Sequence, residues 1–266
     1  MGIRVCVAGA TGWAGRPLVE RIVESREFSL SGAIARTGAG EDVGTVLRRA
    51  PVGITVTASL DDALSQPTDV LVDYTSSDSV KPRVLAALAK GVRVVIGTSG
   101  LTAQDYQEIA EFARRRNVGV IAGGNFSLTA ALAKHFALFA ARHLPSWEII
   151  DYAHADKPDA PSGTTIELAE ELSAVRENRI EFPIEQVRGR REARGASVAG
   201  SQIHSVRLPS YVIAFETVFG LPDERLTIRH DAGSGATPYV AGTLLAVRKV
   251  MTTTGLVRGL DRLLFS

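Results

Sequence analysis

The stretch Ile3-Arg-Val-Cys-Val-Ala-Gly9-Ala-Thr-Gly12-Trp-Ala-Gly15-Arg-Pro-Leu18 runs from an apolar segment through three glycines spaced G-x-x-G-x-x-G into a helical pattern. Ile3 to Ala8 reads as a buried strand. Arg16 to Ser25 reads as a helix with Leu18, Val19, Ile22 and Val23 on one face. Glycines in such a turn let a pyrophosphate approach the backbone, and N–H groups at the helix N-terminus meet its charge. The spacing is a weaker signature than G-x-G-x-x-G, and its place between a first strand and an amphipathic helix is what gives it weight. A strand-to-helix turn with no ligand is the competing reading.

Beyond this turn the same rhythm repeats. Phe28 to Ala35, Ile54 to Val56, Asp69 to Tyr74, Val92 to Ile96 and Val118 to Ala122 read as further strands. Helical patterns lie at Val80 to Lys90 and Thr102 to Asn117. Six strands with helical crossovers predict an α/β, Rossmann-type doubly wound parallel sheet. After a helix from about Ser127 to His143 the pattern changes. Runs at Trp147 to Tyr152, Ile203 to Val206, Tyr211 to Phe219 and Arg225 to His230 follow with one helix near Thr165 to Ala174, which predicts a mixed or antiparallel sheet. Arg188 to Gly195 is expected to be an exposed loop. The apolar helix from Tyr239 to Met251 is free to return to the first domain.

In this fold the second strand ends beside the adenosine ribose, where NAD-binding proteins carry an acid. Here it ends Ala35-Arg36-Thr37, and a guanidinium suits a 2′-phosphate, which favours NADPH over NADH. A solvated surface charge at Arg36, or a reach to the ribose by Glu41 or Asp42, are the alternatives. Gly97-Thr98-Ser99 after the fifth strand and Gly123-Gly124-Asn125-Phe126 after the sixth stand where strand ends line a cofactor crevice.

The 266 residues suffice for two modest domains. Lys plus Arg number 30 against 29 Asp plus Glu, so no global field draws the chain to nucleic acid or an anionic membrane. Cys6 is the only cysteine, and no His/Cys cluster has metal-ligand spacing, so neither a disulfide nor a metal site is expected. No run approaches a membrane span, and the apolar start is too short for a secretory leader, so the expected location is cytoplasmic.

The most chemically loaded segment is Tyr152-Ala-His154-Ala-Asp-Lys157-Pro-Asp-Ala-Pro-Ser162-Gly163-Thr164-Thr165. Ser162, Gly163 and Thr164 lie just before a helix, where unpaired N–H groups welcome an anion. Thr164 with Glu167 three residues later is alternatively a capping box. His154 and Lys157 together could bind a carboxylate and deliver a proton, the tasks of a reductase that adds hydride to an imine.

In its motifs the chain resembles the dihydrodipicolinate reductases over nearly its whole length. The matching pieces are the Gly9 to Gly15 loop, Gly97-Thr-Ser-Gly100, Asn125-Phe-Ser127, Glu148-Ile-Ile150, Lys157-Pro-Asp-Ala-Pro-Ser-Gly-Thr164 and Glu224-Arg-Leu-Thr-Ile228-Arg-His230. The resemblance implies a dinucleotide-binding domain over residues 1–127 and 238–266, and an inserted α+β domain over 128–237 that binds substrate and forms a homotetramer. It further implies hinge closure between the two. It assigns Gly9, Ala10, Thr11, Gly12, Trp13, Ala14, Gly97, Thr98 and Ser99 to the dinucleotide, and Gly123 to Phe126 to the nicotinamide. His154, Gly163 and Thr164, with Ser162 beside them, go to a small dicarboxylate substrate, and Lys157 is the proton donor. The implied reaction is the NAD(P)H-dependent reduction of the cyclic imine from 4-hydroxy-tetrahydrodipicolinate to tetrahydrodipicolinate, in lysine and diaminopimelate synthesis.

Three positions depart from the family pattern. Ala153 stands where the family has the first of two loop histidines, and Phe215 where it has a histidine in a later strand. An arginine usual after the Ile228-Arg-His230 strand is missing from Asp231 to Ala236. A paralogue acting on another carboxylated imine or keto compound, and a non-catalytic dinucleotide-binding protein, are therefore the alternatives.

Overall fold

A computed structural model describes residues 2–265, and its chain divides into two compact units, Met1–Leu128 with Gly235–Ser266, and Thr129–Ser234.

The first unit opens with β1 (Ile3–Ala8), α1 (Gly15–Val23) and β2 (Phe28–Ile34), the expected strand, helix and strand; Leu18, Val19 and Ile22 form the buried face of α1, while Val23, expected with them at the helix end, is 43% exposed. Gly9 takes φ +83°, and a Cβ there would lie 2.1 Å from the Tyr74 carbonyl oxygen. A Cβ on Gly15 would lie 2.0 Å from the Gly9 carbonyl oxygen, so the turn closes only with glycine at both ends. Single helical turns α2 (Val43–Val46) and α3 (Leu60–Ala63) flank the short β3 (Val56–Thr57). Ile54, expected in that strand, instead accepts from the Val43 N–H at 2.8 Å and begins a local loop pairing.

Next come β4 (Val70–Asp73), α4 (Ser77–Ala89), β5 (Arg93–Ile96), α5 (Ala103–Arg116) and β6 (Gly119–Ala122). Val70, Leu71, Val72, Val94, Val95, Val120 and Ile121 are fully buried, which is why these strands read as unbroken apolar runs without alternation.

In the second unit, α6 (Leu128–Ala141, starting at the boundary) precedes β7 (Trp147–Ala153), α7 (Gly163–Val175), β8 (Ala196–Val198), β9 (Ser201–Arg207), β10 (Ile213–Leu221) and β11 (Glu224–Ala232). The strands are ordered β11-β10-β7-β9-β8. β7 and β9 run parallel and the other neighbours antiparallel, so the sheet is mixed. Trp147, Ile149, Phe215 and Phe219 are buried on one face and pack against Ala137 and Ala141 of α6 and Leu168 and Leu172 of α7, and Ala153 is buried at the end of the same alternation. Asp151 falls in that buried alternation of β7. Arg188 to Ala193 is exposed as expected, with a short 3-10 turn over Arg191–Arg194, while Arg194, paired with Glu148, and Gly195 are half-buried. The edge strand β8 behind it was not expected.

The chain then returns to the first unit through α8 (Thr237–Val250), β12 (Gly255–Arg258) and α9 (Leu260–Leu264). The first sheet is therefore wholly parallel with seven strands, not six, in the order β12-β6-β5-β4-β1-β2-β3. Strand order reverses between β1 and β4, the switch point where doubly wound sheets bind ligands at the C-terminal strand ends. Among the described residues no helix is long and apolar enough to cross a membrane, and no group of three or more His, Cys, Asp or Glu is placed to hold a metal ion.

Candidate active site

At the C-terminal ends of β1, β4, β5 and β6 lies a cavity of about 650 Å³, within the first unit. It is lined by Gly12, Trp13 and Ala14, by Gly97, Thr98 and Ser99, and by Gly124, Asn125 and Phe126, which brings three separate turns of the sequence to one place. Gly9, Ala10, Thr11 and Gly123 support these turns from behind. The N–H groups of Gly9 and Ala10 bond the Ile34 carbonyl of β2 at 2.8 and 3.1 Å, and that of Gly123 bonds the Ile96 carbonyl at 3.0 Å. No side chain caps α1 and its first turn holds no acid, so its amide dipoles face the cavity end unneutralised. These features fit a dinucleotide: an uncapped helix start for the pyrophosphate, and small hydroxyls and aromatic rings for a flat ring.

The same cavity takes residues that sequence reasoning missed, Tyr74, Thr75, Ser76, Ser77 and Tyr239. The strand-end rule that pointed to the turns after β5 and β6 applies equally after β4, and that signal was available. Asp73, fully buried at the tip of β4, organises this wall. Its Oδ1 accepts from the Thr75 N–H at 3.0 Å, the Thr75 hydroxyl at 2.6 Å and the Thr98 hydroxyl at 2.8 Å. Its Oδ2 accepts from Arg83 Nη1 at 2.8 Å. The carboxylate thus ties the turn after β4 to the turn after β5. Tyr74 packs edge-on to Phe126 and bonds the Thr243 hydroxyl of α8 at 2.5 Å. Burial pushes its phenol well above the ordinary range, so Tyr74 stands in the cavity wall as a neutral phenol. Trp13 meets Tyr239 edge to face at 5.5 Å and leaves 56% of its surface exposed. Cys6 lies buried beneath the turn, its thiol pushed up to about 12 by burial, and is inert.

Arg36 lies outside this cavity, exposed at the tip of β2, next to Thr37, whose carbonyl the Thr11 hydroxyl approaches at 3.5 Å. One of the two acids considered for the ribose, Asp42, is engaged by the backbone. Asp42 caps α2, and its carboxylate accepts from the N–H groups of Gly44, Val52 and Gly53 at 2.8, 3.0 and 2.7 Å. Desolvation opposes the charge, but the backbone N–H groups outweigh it and hold the Asp42 carboxyl below its usual range.

The second unit places the His154 to Thr165 segment between β7 and α7. Ser162 is the N-cap of α7 and makes no capping bond through its side chain. Its N–H and hydroxyl both go to the buried Asp151 carboxylate, at 2.8 and 2.7 Å. The side chain expected to contact a ligand is therefore already engaged within the protein. The alternative capping box is not formed either, because α7 begins at Gly163 with Ser162 as its N-cap, which puts Thr164 inside the first turn, and Glu167 accepts from Lys134 at 3.3 Å. After Ser162, the first amide with an acceptor in the chain is that of Thr165, on the Ser162 carbonyl at 3.1 Å. Gly163 and Thr164 thus offer their N–H groups at the helix start, with open space beside the Gly163 α-carbon.

Two side chains with nitrogen groups precede this turn, each held by an acid two residues on. His154 Nδ1 lies 2.6 Å from Asp156 Oδ1, and Lys157 Nζ donates to Asp159 Oδ1 at 2.5 Å. These bonds hold the Asp156 and Asp159 carboxyls below their ordinary range. Ala153 and Phe215 are both buried on the covered face of the sheet, and Phe215 packs against the His230 ring at 5.6 Å. Two of the three departures are thus filled by buried apolar side chains.

Two family models cover the chain end to end, "Dihydrodipicolinate reductase, N-terminus" over residues 3–126 and "Dihydrodipicolinate reductase, C-terminus" over residues 126–264. A 4-hydroxy-tetrahydrodipicolinate reductase from Desulfitobacterium hafniense is 40% identical over 98% of both chains. One from Moorella thermoacetica is 39% identical over 98% of both. The solved dipicolinate-bound dihydrodipicolinate reductase from Paenisporosarcina sp. TG-14 superposes with a TM-score of 0.83 at 30% identity, covering 98% of this chain and 99% of that one. An amine dehydrogenase from Mycobacterium smegmatis, at 15% identity and a TM-score of 0.67, covers 98% of this chain and 96% of its own and shares the fold.

Proposed function

The chain belongs to the dihydrodipicolinate reductase family, and from that premise we propose that it reduces the cyclic imine derived from 4-hydroxy-tetrahydrodipicolinate to tetrahydrodipicolinate with NAD(P)H. The observation that carries the reading is the α7 start, where the Gly163 and Thr164 N–H groups have no acceptor among the described residues, at the end of the same connection that carries the tethered Lys157. Bound NAD(P)H supplies the hydride. Lys157 delivers the accompanying proton from Nζ, so that one hydride and one proton add across the double bond. The Gly163 and Thr164 amides hold a substrate carboxylate, with His154 as a second donor to it. Ser162 serves by anchoring the turn to Asp151.

NADPH is the preferred cofactor in this reading. Its support is the exposed Arg36 at the tip of β2 and the commitment of Asp42 to backbone N–H groups. Assembly is as a homotetramer through the second unit, supported by Leu221 and Leu226, both exposed on the β10–β11 hairpin. Light scattering tests that state.

The deciding assay follows NADPH oxidation with freshly generated 4-hydroxy-tetrahydrodipicolinate. Saturable turnover is expected, and NADPH binding without turnover rejects the reading. A second reading, reduction of a different carboxylated imine or keto acid, is favoured by the apolar Ala153 and Phe215, and a substrate panel distinguishes it.

A further inference from the structure

Arg207 is 15% exposed and closes the β9 strand above the buried carboxylate of Asp151, which is 1% exposed. Its Nη2 donates to Asp151 Oδ2 at 2.7 Å and, in the same fork, to the Asp159 backbone carbonyl at 2.8 Å. Its Nη1 reaches the Asp151 carbonyl at 3.2 Å. Two functional features hang from these bonds. On one side, Asp151 receives both the N–H and the hydroxyl of Ser162, and so sets where α7 begins and where the Gly163 and Thr164 amides point. On the other, Asp159, whose carbonyl Arg207 holds, uses its side chain to grip Lys157 Nζ at 2.5 Å. A lone carboxylate in this position would be strongly destabilised, and a planar guanidinium is the side chain able to satisfy it while reaching a second acceptor.

We propose that Arg207 is a positioning residue that sets the anion-binding turn and the proton-donating Lys157 in one geometry. It acts through Asp151 and Asp159. The inference rests on the reading of Gly163, Thr164 and Lys157 given above. It goes beyond that reading in assigning binding and proton delivery to a single buried ion pair. The two branches are separable, because a lysine at 207 keeps a charge beside Asp151 but lacks the fork that also reaches the Asp159 carbonyl.

The test measures kcat with freshly generated 4-hydroxy-tetrahydrodipicolinate, the Kd of pyridine-2,6-dicarboxylate and the Kd of NADPH, with folding followed by circular dichroism. Arg207→Gln is expected to weaken pyridine-2,6-dicarboxylate by about ten-fold or more and to lower kcat by at least a similar factor, with NADPH affinity changed less than about two-fold. Arg207→Lys is expected to restore much of the dicarboxylate affinity while kcat stays depressed, and it carries the test if Arg207→Gln does not fold. Arg194→Gln, which removes a half-buried arginine paired with Glu148, is the control and leaves all three values near the parent's. A folded Arg207→Lys with parental kcat overturns the proposal, as does a parallel loss of NADPH affinity in both Arg207 variants. A parent that neither turns over the substrate nor binds pyridine-2,6-dicarboxylate instead overturns the functional reading, and the inference falls with it.

Discussion

Arg83 Nη1 stands 2.8 Å from Asp73 Oδ2 at the tip of the fourth strand, the guanidinium 17% exposed and the carboxylate fully buried. Asp73 also gathers Thr75 and Thr98 from two cavity-lining turns, so this pair is expected to matter for cofactor binding as well as for folding. Arg83→Leu leaves a buried carboxylate unpaired and is expected to cost about 3–5 kcal/mol in urea unfolding, with a raised KM for NADPH. Unchanged stability would show that Thr75 and Thr98 alone satisfy Asp73.

Lys157→Ala removes the proposed proton donor without touching the first unit. Turnover is expected to fall by roughly 10²- to 10⁴-fold while the NADPH Kd stays at the parent value. Retention of parental kcat would move the proton to another group, with His154 and its partner Asp156 next in line.

Arg36→Ala separates the two nicotinamide cofactors. A charge-assisted bond to a 2′-phosphate is worth about 1.5–3 kcal/mol, so the KM for NADPH is expected to rise about ten-fold or more with little change for NADH. Equal loss with both would mean that Arg36 does not read the 2′-phosphate.

The chain has two tryptophans, one at the cavity and one, Trp147, 3% exposed in the second unit. Addition of NADPH is therefore expected to quench the fluorescence of Trp13. Trp13→Phe should abolish most of that response while the protein still binds cofactor, and a persistent full response in the variant would place the signal at Trp147.

His230 gives a pH dependence of stability with a definite sign. Burial holds its imidazole below the ordinary value of 6.5, so the unfolded chain takes up a proton that the folded chain resists. Stability on this account is fully present above pH 6.5 and is lost as the pH falls through the lowered value. Urea unfolding at pH 5.5 and 7.5 should show this loss in the parent and a smaller one in His230→Gln. An equal slope in both would assign the effect to the carboxylates.

The first domain was readable in the sequence because each of its signals is local. A glycine turn needs only its own backbone angles and near neighbours, and strands buried on both faces announce themselves as runs of valine and isoleucine. Two of the misses have a different cause. Gly255–Arg258 becomes a strand because it lies beside Gly119–Ala122, and nothing within its four residues specifies that partner. The wall at Tyr74 to Ser77 was within reach of the strand-end rule. Tyr239 was not, since its place in the cavity depends on the return of the last long helix.

The segment around Ser162 divides the two kinds of information most sharply. Composition and spacing established a polar turn before a helix, with Lys157 and His154 close by, and motif order established the family. Whether Ser162 faces a ligand, caps a helix or braces the turn could not be read there, since all three use the same hydroxyl. The choice was made by Asp151 and Arg207, 11 and 45 positions away in the chain: the buried Asp151 carboxylate takes that hydroxyl at 2.7 Å, and the pairing of β7 with β9 brings Arg207 to the same carboxylate. A charge placed in the interior must collect every donor within reach, and which donors those are is a property of the folded chain.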